Sequence, residues 1–573
     1  MFIPTAAEEA EKRGWNELDI VIVSGDTYID SYYNGAAVIG HWLIDHGFRV
    51  GIVCQPDIDS ERDITRLGEP KLFWSVTAGS LDSMVANYTP TNKRRKDDDL
   101  TPGGVNDRRP DRACIAYTNL IKKHLKGRPI VLGGIEASLR RVAHYDVWSD
   151  SVRRSILFDS KADIITYGMA ELSNLELAAR IRDGKDITDI RGICRIGKEL
   201  PDNYVRMPSY EKCAESKDDF IKAFRIFYEN NDPISSTGIS QKHGDRYLIQ
   251  NPPSRTLTAD ELDRIHSMDY ENAVHPYYLR NGPVKAMDTT KNSIISHRGC
   301  YGECSFCALS VHQGRVVVSR SEGSIIAEAE RIASAPGFNG IIYDVGGPTA
   351  NMYGIECSKK LVKGACKDRK CLYPKPCPYL PIDHSKQISL LKRISDIRGV
   401  KKVVIASGIR HDMVVCDRLN GRNYVDRVVG SHVSGQLKIA PEHIVPHVLE
   451  LMCKPGPDVL IEFKGMFDDS NTKLGKEQFL TYYLMAAHPG CYETDMEELD
   501  RFVHRELKTN PEQVQIFTPT PSTVSTMMYH TRRDYDNTKN LKSEHSMQMK
   551  QKQKDILLGP RGKEHEQKRR KTV

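Results

Sequence analysis

Short apolar runs, each closed by glycine, proline or an acid, alternate along this chain with longer segments whose apolar positions recur every three or four residues. From Asp19 to Pro56 the order is strand, helix, strand: DIVIVSGD, GAAVIGHWLIDHG, RVGIVCQP, with Gly47 placed to end the helix. Pro129–Glu136 (PIVLGGIE) and Ala162–Gly168 (ADIITYG) read as further strands, and Ala170–Ile181 as a helix. Together they predict an open α/β domain of Rossmann or flavodoxin type over residues 1–190. Residues 191–285 connect the halves, with a helix near Lys217–Asn230 and a strand pair around Tyr247–Asn251.

The second half, 286–535, repeats the alternation. Strands are predicted at Ser293–Ser296, Gly340–Val345, Lys402–Ala406, Gln436–Ile439, Thr481–Ala486 and Val514–Phe517. Helices are predicted at Ser321–Ser334, with Ser321 or Ser324 as N-cap, and at Ser385–Asp396, Glu442–Met452 and Asp495–Glu506. Such alternation implies parallel strands joined by right-handed crossovers, with working residues at the C-terminal strand ends.

Charge changes the picture only at the end of the chain. The formal net charge is +6, and the stretch from Leu541 to Val573 holds ten Lys or Arg against four Asp or Glu, so the body is nearly neutral. Residues 536–573 read as a basic, disordered tail, either simply solvated or able to touch RNA phosphates. No run of about 18 apolar residues exists and the N-terminus is not a signal peptide, which implies a cytoplasmic protein with no membrane partner.

Candidate chemistry concentrates in SHRGCYGECSFCALSVHQGR, where Cys300, Cys304 and Cys307 are spaced C-x3-C-x2-C with Phe306 before the last. Three such thiolates can hold three irons of a [4Fe–4S] cluster and leave the fourth open. The same spacing also permits a structural zinc with His312 as fourth ligand. After the next predicted helix and strand come Gly346 and Gly347, which allow close approach of the backbone to a ligand.

This cysteine pattern resembles that of the radical S-adenosylmethionine (SAM) enzymes. The phrases TPGG with RRPDRA (101–113), VLGGIEASLRRVAHYDVWSDSVRRSILFDSKAD (131–163), YDVGGPTANMYG (343–354), LKIAPEH (437–443) and FTPTPST (517–523) strongly resemble the YgiQ-type radical SAM proteins over residues 15–535. The resemblance implies an N-terminal, cobalamin-domain-like α/β domain followed by a partial (β/α) barrel of the radical SAM type. It implies a [4Fe–4S] cluster on Cys300, Cys304 and Cys307, with SAM seated by Phe306, Gly346 and Gly347. A low-potential donor such as flavodoxin or ferredoxin would supply the electron, and a deoxyadenosyl radical would start chemistry on a substrate that the sequence does not identify. Pro441, Glu442, His443 and Thr520 are candidate SAM or substrate contacts. The loop after the first strand, Gly25–Gly35, lacks the histidine of the D-x-H-x-x-G motif that binds base-off cobalamin, which argues against that cofactor.

Two features stay open at this level. The set Glu136, Arg140, Arg141, His144, Tyr145, Asp146, Arg153 and Arg154 reads equally as an anion site or as a solvated, self-paired helix face. Cys357, Cys366, Cys371 and Cys377, in an insertion at 355–380, read as a second metal site or as free surface thiols. A methyl- or methylthio-transferase on RNA or protein, and a zinc-stabilised RNA-binding protein without catalysis, are the alternative functions.

Overall fold

A computed structural model describes residues 1–572, with side chains through residue 559. Its first half is one nine-stranded sheet. Five parallel strands, in spatial order Val50–Cys54, Ile20–Ser24, Phe73–Thr77, Ile130–Gly133 and Ile164–Thr166, form its body. In chain order that is second, first, third, fourth, fifth, the doubly wound flavodoxin arrangement. These strands are buried almost throughout because helices cover both faces, so no solvent-side alternation survives.

Local chemistry explains the element ends. Asn34 caps Gly35–Asp45 by accepting from the amides of Ala36 and Ala37, and Gly47 leaves the helix at φ +84°. The strand Phe73–Thr77 and the helix Ala113–His124 were not anticipated from sequence. The sheet also runs on past residue 190: Ile193–Gly197 joins antiparallel to Ile164–Thr166, and the hairpin Ile239–His243/Arg246–Gln250 extends it.

The second half winds seven parallel strand segments. Ser293–Ile295 pairs with Asp344–Gly346, and Ile341–Ile342 with Lys402–Val403. A bridge between Ile409 and Ile439 carries the wall to Gln436–Glu442, Phe479–Ala486 and Gln513–Ile516. Helices Glu322–Ser334, Ser385–Ser395, Pro457–Leu474 and Glu493–Phe502 lie between strands. This is the expected partial (β/α) barrel, and a single apolar core joins it to the first sheet, running from Val21 and Trp74 through Val345 and Ile405 to Leu484.

Three expectations need correction. Glu442 ends a strand with φ +70°, and the helix expected from it starts at Pro446. Residues 547–559 are not a loose arm: the helix Met547–Thr572 docks on the last two barrel strands, burying Lys550, Gln553, Leu557 and Leu558. The basic run beyond 559 lies outside the described side chains. The polar set of 136–154 is neither solvated nor free for an anion at its centre. Arg140 is buried between Asp82 and Asp146, and Arg141 between Gln250, Asn231 and the Ser138 carbonyl.

Candidate cluster site

The strand Ser293–Ile295 delivers the chain into the cysteine loop at the C-terminal end of the barrel. Gly299, at φ +84°, is required there: a Cβ would fall 2.0 Å from the Val316 carbonyl oxygen. The loop is clamped from several sides. Ser305 donates its amide to Met452 O (3.1 Å) and its hydroxyl to Leu451 O (2.6 Å), while its carbonyl accepts from Ser525 N (2.9 Å). Glu303 pairs with Lys360 at 3.3 Å and Arg315 at 3.6 Å, all three buried.

The three cysteines are partly exposed, and the sulfurs of Cys300 and Cys304 flank Gly302. A Cβ on Gly302 would lie 3.3 Å from Cys300 Sγ, 3.6 Å from Cys304 Sγ and 3.1 Å from Arg410 Nη1, so the space lined by the sulfurs depends on a bare backbone. The Gly302 amide donates to Cys300 Sγ at 3.3 Å, and Arg410 Nη1 donates to Cys304 Sγ at 3.4 Å. Thr349 Oγ1 stands 3.6 Å from Cys300 Sγ. Burial, with Cys304 close by, pushes the Cys300 thiol up and the Cys307 thiol up to about 12. Iron must therefore displace protons to bind.

Among the described residues, no three His, Cys, Asp or Glu side chains converge as one metal ion requires. His312 turns away, with Nδ1 3.2 Å from Ser138 Oγ. The set Cys300, Cys304, Cys307 and His312 is thus not gathered around one point.

Sequence reasoning missed Thr349, Asn351, Arg410 and Asp412. Arg410 is buried, and Asp412 accepts from its Nε at 2.8 Å. Its backbone is locked to Asn351 in both directions, Arg410 N to Asn351 Oδ1 at 2.8 Å and Asn351 Nδ2 to Arg410 O at 3.0 Å. A charged residue just past a barrel strand was the signal for it. The segment GGPTANM therefore reaches the cysteine loop through Thr349, through Asn351, and through Met352 Sδ, which accepts from Tyr301 N at 3.5 Å.

The expected SAM contacts divide. Gly346 ends its strand, and a Cβ on Gly347 would meet the His297 ring at 2.7 Å, so that glycine is already needed for packing. Phe306 is partly exposed, with the His488 ring edge-on at 6.4 Å and Lys454 Nζ 5.9 Å from its centroid. Lys454 also donates to Ala440 O at 2.7 Å and lies 3.7 Å from Glu442, whose carboxyl burial pushes up. His443 is pushed down to about 3 by burial, and its Nδ1 accepts from Val445 N. Pro441 is buried beside them, whereas Thr520 Oγ1 donates to Thr518 O in its own loop.

The crevice at the strand-order reversal of the first sheet, where doubly wound folds bind ligands, is filled by protein. Arg109 is buried there between Asp26 (2.7 Å) and Asp98 (2.9 Å), and Ser80 N donates to Asp26 at 2.6 Å. A Cβ on Gly25 would touch the Ala78 carbonyl oxygen at 2.3 Å. The loop Gly25–Gly35 holds no histidine besides.

Comparison with known proteins places this architecture. A family model described as Radical SAM N-terminal matches residues 2–293. The UPF0313 protein FN0734 of Fusobacterium nucleatum is 53% identical, covering 98% of this chain and 99% of its own. A UPF0313 protein of Thermotoga maritima is 46% identical over 98% of this chain and 100% of its own. The solved structure of OxsB, a cobalamin-dependent SAM radical enzyme with aqua-cobalamin bound, is 10% identical with a TM-score of 0.50, covering 89% of this chain and 55% of that one, and shares the fold. The chain therefore belongs to the UPF0313 family, built on the radical SAM N-terminal region, and is a radical SAM enzyme.

Proposed function

We propose that Cys300, Cys304 and Cys307 hold a [4Fe–4S] cluster with one open iron, and that the enzyme cleaves SAM reductively there to start radical chemistry. The observation that carries this reading is the pair of sulfurs, Cys300 and Cys304, gathered against Gly302 in the C-x3-C-x2-C loop, with Arg410 donating to Cys304. Bound there, the cluster supplies an open iron for the amino and carboxylate groups of SAM and the electron that splits its sulfonium. The chain supplies the rest. Arg410 and the Gly302 amide offset thiolate charge, Gly346 and Gly347 present bare backbone at the strand end, and Phe306 offers an aromatic wall. Glu442 and Lys454 complete a buried polar rim around it. All 14 cysteines are unpaired, which fits a reducing cytoplasm and a low-potential donor such as flavodoxin or ferredoxin.

Anaerobically reconstituted, dithionite-reduced protein should give a [4Fe–4S]⁺ EPR signal that changes on adding SAM, with 5′-deoxyadenosine accumulating. A signal indifferent to SAM, or one that survives Cys304→Ala unchanged, defeats the assignment.

A further inference from the structure

The insertion after Gly346 does what a (β/α) connection has no need to do. Such connections usually run about 2–6 residues, yet this one returns to a barrel helix only at Ser385. Past the short helix Ser358–Lys363, residues 364–384 contain neither helix nor strand. Their apolar anchors are few: Leu372 and Leu380 are buried and Ile382 partly so. Ordering that much irregular chain costs about 1–2 kcal/mol per residue in backbone entropy alone, more than three side chains recover. Polar anchors add to them: Ala365 N donates to Asp232 at 2.9 Å, and Lys370 Nζ to Glu303 O at 3.2 Å and Cys453 Sγ at 2.9 Å.

Its cysteines share a neighbourhood. Cys357 and Cys371 are buried in one apolar cluster, with Cys377 packed against it. Cys371 O accepts from Cys377 N at 2.8 Å, Arg369 Nη1 donates to Cys377 Sγ at 3.9 Å, and Cys366 stands three residues before Arg369 on the same loop. Cations accompany them: buried Lys360, paired with Glu303, lies close to Cys371, and Arg369 donates to Cys377 Sγ. None of the four is in a disulfide. The group also abuts the first loop: Cys357 N donates to the Tyr301 hydroxyl at 3.2 Å, and Lys360 pairs with Glu303. Tyr301 and Glu303 are the chain neighbours of Cys300 and Cys304.

We propose that Cys357, Cys366, Cys371 and Cys377 bind a second iron–sulfur cluster, of the [4Fe–4S] type, closed by four protein thiolates and set against the first cysteine loop. Four thiolates leave no open iron, so this cluster takes up no SAM. Lys360 and Arg369 offset its negative charge.

The test is iron and sulfide analysis with EPR on anaerobically reconstituted protein. Wild type should hold about eight irons per chain, and the Cys300→Ala/Cys304→Ala/Cys307→Ala variant about four. The signal of that variant should not change with SAM. Changing Cys357, Cys366, Cys371 and Cys377 to serine should leave about four irons and a signal that does respond to SAM. Wild type with about four irons, all lost in the first variant, overturns the proposal, as does about one zinc per chain in that variant. The two sites fail separately: iron that survives the first variant and vanishes in the second keeps this cluster and removes the one proposed for Cys300, Cys304 and Cys307.

Discussion

Arg410 carries a full charge in a buried position and is held there by one carboxylate, Asp412, and one thiol, Cys304. Removing one partner of a buried pair leaves the other charge uncompensated, at about 3–5 kcal/mol, whereas removing both costs much less. Arg410→Leu should therefore lower the denaturation midpoint strongly, and adding Asp412→Leu should recover most of the loss. Equal midpoints for the single and double variants would show that Asp412 is satisfied elsewhere. The cysteines of this site were legible because they fall within one local stretch. Arg410 was not, because it meets Cys304 across 106 positions, and Thr349 reaches Cys300 across 49. Chain pattern carries no information about such meetings until the barrel closes.

At the scale of elements, apolar periodicity located most strands and helices, because each had to present an apolar face to one core. Two of its failures have opposite reasons. Phe73–Thr77 went unread although its FWSV run has the aromatic and β-branched content of a strand. The stretch before residue 559 misled because its apolar content is thin, yet Leu557 and Leu558 are both buried against the barrel. Tertiary docking supplies what periodicity lacked: Gln553 Oε1 accepts from Ala487 N at 2.9 Å, and Lys550 donates to the Tyr529 hydroxyl at 2.9 Å. Leu557→Ala should thus cost about 2–5 kcal/mol, as for a core leucine. Urea unfolding checks this, and a loss below about 0.5 kcal/mol would place the helix outside the cooperative core.

Across the whole molecule, buried histidines set the response to acid. Burial pushes His297 and His411 down to about 4, and His443 and His488 down to about 3. In the unfolded chain each titrates near 6.5. Between these values the unfolded state binds protons that the folded state refuses, so stability rises with pH through that window and levels off above it. Each contributes a slope of about 1.4 kcal/mol per pH unit there. Anaerobic denaturation should show midpoints falling steeply from pH 6.5 towards 4 and nearly constant from 7 to 8. A flat profile down to pH 5 would mean that these rings are protonated in place.

The core that runs without a break from the first sheet into the barrel has a consequence for traffic. Ser522 of the last barrel loop donates to Leu139 O at 2.6 Å, and Asn231 donates to Val311 O just past the cysteines. Halves stitched in this way have no seam along which to part. A route for a substrate that parted the two halves would have to break these bonds and expose that shared core to water.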